Sequence, residues 1–159
     1  MSNQFSPPGA RDPGKYDPAV DDATIARGLF WSRIVAVVMM LTAILHAAAM
    51  MQIVLFAYRQ QPELVCGEVS FVVFGLALLL TGPRVYDASF VSCLLGAAAG
   101  LAGGAFAAVW FLFLLFWAGT LSPIAMFLAP ASALAGVLAA ILAPTARGVE
   151  RARARMLED

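Results

Sequence analysis

One lysine, one histidine and two cysteines in 159 residues leave this chain poor in the groups that usually build reactive sites. A lone histidine, His46, excludes bis-histidine haem ligation within one chain, and the cysteines and histidine form no cluster of zinc-ligand spacing. No CxxC is present, so dithiol redox chemistry is excluded, and the expected topology sets Cys66 and Cys93 near opposite membrane faces, too far apart for one disulfide. Cys66 could still pair with another chain. No phosphate-binding glycine loop exists, because the glycine-rich stretch lies inside an apolar run with no following Lys-Ser/Thr. The formal net charge is zero, which removes the electrostatic case for nucleic acid. A Ser-His-Asp arrangement would need His46, in the middle of an apolar segment, to meet Asp87 at the end of another.

What the chain has instead is apolar surface. Hydrophobic residues make up 62% and charged residues 13%, and the mean hydropathy is +0.84. Soluble domains are only about half apolar, so lipid is the solvent. A span takes about 20 apolar residues, and the chain has room for four after a polar start.

Residues 1–21 carry Pro7, Pro8, Pro13 and Pro18 with several charges and are expected to be a disordered cytoplasmic tail, or a segment that folds on a partner. Residues 22–159 form the transmembrane domain, with spans expected at about 32–58, 64–81, 88–118 and 123–143 and a short charged C-terminal helix. Asp22 is the expected cap of the first helix and Arg59 closes that span. Gly82-Pro83 should end the second helix and Pro144 the fourth, with Pro130 as a kink. Ser122-Pro123 has the cap-then-proline form of a helix start. The fold class is an all-α integral membrane four-helix bundle made of two helical hairpins. Nine of the ten basic residues flank the termini or the second loop, and Arg59 alone flanks the first, so both termini are expected in the cytoplasm. Nine arginines to one lysine, with abundant alanine, fit a GC-rich bacterial genome and hence a bacterial inner membrane.

In lipid, close approach of small residues and a few polar contacts must hold helices together. Gly96, Gly100 and Gly104, with Ala108 next, recur every four residues, and Gly136 lies among small residues of the antiparallel fourth helix. This face serves either the internal hairpin or a contact between chains. Trp110 and Trp117 are expected in an interfacial aromatic belt.

The costly residues inside the spans are His46, Gln52 and Glu68. His46 lies about 12 residues, roughly 18 Å, from the inner end of its helix, and shares a helical stripe with Met39, Thr42 and Met50. An imidazole between two thioethers is a candidate Cu(I) site, although a histidine bonded to a neighbouring helix is the commoner use. Gln52 and Glu68 are expected at similar depths and could meet across the first hairpin, as a proton or cation site or as a carboxylate paired with Arg59. Short loops leave no room for a soluble active site. The expected role is a non-enzymatic accessory or structural subunit of a larger membrane complex, with lipids, other subunits or further copies as partners. The alternatives are a homo-oligomeric transporter or channel using Glu68 and a lipid- or quinone-linked enzyme component. No cofactor can be named from the sequence.

Overall fold

The computed structural model describes residues 17–57, 65–118 and 123–158. Helix α1 spans Pro18–Ala57, α2 Val65–Tyr86, α3 Phe90–Phe113 and α4 Pro123–Glu158, and α3 continues into a π-wound turn at Leu114–Ala118. Among the described residues there is no strand. All 4 helices are long and apolar enough to cross a bilayer. Each helix packs on its neighbours in chain order and α4 closes the ring on α1; the α3–α4 interface is the largest.

The inward face of every helix follows an alternation of three and four residues. In α1 it runs through Asp21, Ile25, Gly28, Ser32, Val35, Met39, Thr42, His46 and Ala49, in α2 through Phe71, Gly75, Leu78, Gly82 and Val85, and in α3 through Cys93, Ala97, Gly100, Gly104 and Ala107. This is the seam of a left-handed bundle. Its residues are largely small or polar, whereas Phe30, Ile34, Leu41 and Ile44 point outward. Such a distribution suits a bundle solvated by lipid, where tight packing replaces the hydrophobic effect as the cohesive term.

Several expected boundaries move. Residues 18–21, assigned to the tail, are helical: Asp17 rather than Asp22 is the cap, its Oδ1 accepting from the Ala19 N–H at 3.1 Å, with Pro18 at the first helical position. Gly82-Pro83 does not end α2 and Pro144 does not end α4. A proline removes one backbone bond, but the seam runs on through Val85 in α2 and through Ala146, Val149 and Ala152 in α4, and that packing holds the extra turns. The charged C-terminal segment is therefore a continuation of α4. Residues 1–16, Arg59 and Ser122 lie outside the described residues.

The turn between α2 and α3 closes with a pair of bonds typical of a helix C-terminus, Ser89 N–H to the Arg84 carbonyl at 3.1 Å and Ala88 N–H to the Val85 carbonyl at 2.9 Å. Ala88 takes the left-handed position, φ 60°, that usually belongs to glycine. Two groups from α4 hold this turn: Glu150 Oε1 accepts from the Phe90 N–H at 2.8 Å, and Arg153 donates to the Asp87 carbonyl at 3.0 Å. Ser89 precedes α3 without a side-chain cap, so Glu150 supplies that function from 60 residues away.

Beyond this turn only α1 and α4 continue, for about 15 Å before Gly28 and about 12 Å after Glu150. Gly28 lets the Val149 side chain sit directly on the α1 backbone. At the tip, Arg155 donates through Nη2 to Asp21 Oδ1 at 2.5 Å and through Nε to Oδ2 at 3.3 Å. Hydrogen bonds from Arg155 and then from the Asp17 N–H hold the Asp21 carboxyl below its ordinary value, against the opposing effect of burial.

Candidate functional site

His46 sits fully buried where all four helices meet. Space for its ring is made by two glycines. A methyl group on Gly75 of α2 would stand 2.9 Å from His46 Cβ, and one on Gly103 of α3 would stand 3.2 Å from Nε2. From α4, Ser132 Oγ lies 3.3 Å from Nε2. Ser32, Thr42 and Thr81 all donate back to a carbonyl of their own helix at 2.7 to 2.8 Å, as hydroxyls in membrane helices commonly do. Ser132 instead makes its hydrogen bond across the bundle, sharing a proton between its hydroxyl and His46 Nε2. Nδ1 is buried and has no hydrogen-bond partner among the described residues.

Aromatic rings extend from the imidazole. Phe71 and Phe74 lie 6.0 and 6.4 Å from it, Phe106 is 5.5 Å from Phe71, and Trp110 stacks on Phe106 at 6.1 Å and 14°. Phe113 stacks in turn on Trp110 at 5.3 Å. Trp110 is thus half-buried in a column of rings, with its indole N–H buried and unpartnered among the described residues. The Trp117 side chain lies outside the described part of the structure.

Beside His46 a groove of about 260 Å³ opens between α1 and α2, lined by His46, Ala47, Met50, Phe71, Gly75 and Leu76 among others. Met50 therefore shares a surface with His46, but Met39 does not. Met39 packs against Gly96, whereas His46 Nε2 lies over Gly103, seven residues and about 10 Å further along α3. The structure does not assemble the two thioethers around the imidazole. Gln52 is half-buried near the far end of α1. Glu68 belongs to the first turns of α2, and its side chain, like that of Cys66, lies outside the described part.

The glycine face divides between two partners. Gly96 takes Met39 of α1, whereas methyls on Gly100 and Gly104 would stand 2.5 Å from Gly136 N and 2.9 Å from Ala133 N of α4. Ala108 is exposed and Ala107 occupies the seam in its place. A row of every fourth residue rotates about 40° per step, so it leaves the interface within three steps.

The residues that define the site beyond His46 are Ser132, Gly75 and Gly103. Gly75 lies on the inward seam of α2, Gly103 stands beside that of α3 and Ser132 is buried on α4, all at the depth of His46, and that shared depth is the signal that would have found them. Fold and site together define an all-helical membrane protein with a single buried imidazole at its centre. No protein-family model, curated protein or solved structure matches the chain.

Proposed function

We propose that the protein is a non-enzymatic accessory subunit of a larger complex in a bacterial inner membrane, with both termini in the cytoplasm, and that it presents the paired ends of α1 and α4 to its partner. The observation that carries this reading is the projecting pair itself. Two helices run on past the α2–α3 turn, lock onto each other through Gly28, Val149, Asp21 and Arg155, and expose Asp22, Arg27, Arg147 and Arg151 on their outer faces. An ordered, charged projection of this kind exceeds what anchoring a bundle requires, and it suits a polar contact with another protein. Nine basic residues on the side of the termini against one on the other support the cytoplasmic orientation.

The test is to tag the protein at its natural level, extract it in mild detergent, and identify by size and mass spectrometry what travels with it. Foreign subunits in fixed ratio are the expected result, and they should be lost when Arg147 and Arg151 are changed together to Glu. A clean homo-oligomer would overturn the reading and direct attention to transport through Glu68.

A further inference from the structure

We propose that the seam between α1 and α2 holds the phosphate of an anionic phospholipid, bound by the Arg33 guanidinium and the Tyr86 hydroxyl. The inference needs only the bilayer and no partner subunit. It starts from how the arginines are engaged. Arg155 is paired with Asp21, and Arg153 donates to the Asp87 carbonyl. Arg33 of α1 instead lies over the ring of Tyr86 of α2, with Cζ 5.2 Å from the ring centroid. Among the described residues no carboxylate or carbonyl takes its N–H groups. The ring steadies the guanidinium through its π face and leaves the donor edge unspent. Tyr86 is exposed, and its hydroxyl, on the rim of the same ring, adds a second donor there.

Depth selects the ligand. The charge-free run between Arg33 and Arg59 is centred on His46, so Arg33 stands 13 residues, about 20 Å, from the middle of the bilayer. The hydrocarbon core ends about 15 Å from that plane, and the headgroup layer about 20–22 Å from it. Arg33 is therefore level with the lipid headgroups. Phe30 and Trp31, mostly exposed and set edge to face, mark the same level on α1, as interfacial aromatics do. A soluble acidic partner would meet the projecting ends of α1 and α4 before it reached this depth.

A second stacked arginine shows what sets the first apart. Arg147 of α4 lies over Phe90 of α3, 5.3 Å from its centroid. Phe90 has no hydroxyl, and the Glu150 carboxylate is bonded to the Phe90 N–H, so an anion there would meet a fixed negative charge. Arg147 is also level with Gly28, five residues and about 8 Å further from the membrane middle than Arg33. Asp87, next to Tyr86, makes no ion pair with Arg33 among the described residues. Two donors without a carboxylate favour a phosphate that carries no cation of its own, as in phosphatidylglycerol. The phosphate of phosphatidylcholine is already balanced by its ammonium.

The test places the full chain in micelles with equimolar phosphatidylglycerol and phosphatidylcholine and reads by native mass spectrometry the ratio of the two singly lipid-bound species. The ratio should lie well above one in wild type and fall about fivefold in Arg33→Gln. Tyr86→Phe keeps the stacked ring and should lower it about twofold, the loss of one hydrogen bond. Arg84, exposed two residues before Tyr86 and so on another side of α2, touches no ring, and Arg84→Gln should leave the ratio near that of wild type. Excess glycerol phosphate should not displace the lipid. A wild-type ratio near one would overturn the proposal, as would equal falls in Arg33→Gln and Arg84→Gln, which would mean diffuse attraction to positive charge. Displacement by glycerol phosphate would overturn the lipid as the source of the phosphate.

Discussion

At the residue scale the molecule turns on one cross-bundle contact. An interhelical hydrogen bond in lipid is worth only about 0.6 kcal/mol on average. The Ser132 bond stands apart because its loss leaves a fully buried imidazole with neither nitrogen partnered. Ser132→Ala should therefore destabilise the bundle by about 1–2 kcal/mol, seen as a lower melting temperature by circular dichroism in detergent. A melt equal to wild type would mean that the imidazole finds another partner. His46 stands out in the sequence through the cost of placing it in a membrane span, but Ser132 reads there as one more small residue of α4. Residue type alone does not say which hydroxyl turns back on its own helix and which reaches across.

At the scale of elements, the contact between α3 and α4 is made of backbone. A methyl at Gly100 would stand 2.5 Å from Gly136 N and 2.6 Å from its Cα, atoms that cannot rotate aside. Gly100→Ala should force the helices apart and cost about 1–3 kcal/mol. Gly148, just before the projecting part of α4, is the control: an added methyl would meet only Thr24 Cγ2, at 3.9 Å. Gly148→Ala should raise stability by about 0.5–1 kcal/mol through helix propensity. Opposite signs in the two melts check this pairing, and equal losses would refute it. Helix number and the approximate position of all four spans were legible because a bilayer demands long charge-free runs. The ends were not, at Pro83, Pro144 and Asp22, because local breaking signals were outweighed by packing between segments far apart in the chain. The same holds for Ala108, where a four-residue motif suggested a face that the helix geometry carries out of contact.

On the scale of the whole molecule, the two ends of the described chain are joined by charge. Arg155 remains charged throughout the accessible pH range, so the pairing depends on Asp21. The folded-state pKa of Asp21 is depressed below its ordinary value of 3.8, so the pairing contributes fully above that value and is lost as the pH falls through the depressed one. Spin labels at Ala19 and Met156 should give one narrow distance near neutral pH and a broad distribution on strong acidification. Asp21→Asn should give the broad distribution at neutral pH, with the four spans still folded. A distance that stays narrow in the variant would show that Gly28 and Val149 hold the pair without the ions.

The partners that complete α1 are encoded late. His46 waits for Ser132, 86 residues further on, and Asp21 for Arg155, 134 residues away. At a synthesis rate of about 5–20 residues per second, the first helix spends roughly 4–17 s with its imidazole unmatched before Ser132 is made. A polar seam in hydrocarbon for that long is a reason for the nascent first helix to linger beside whatever machinery inserts it, and to leave only once the last helix has arrived.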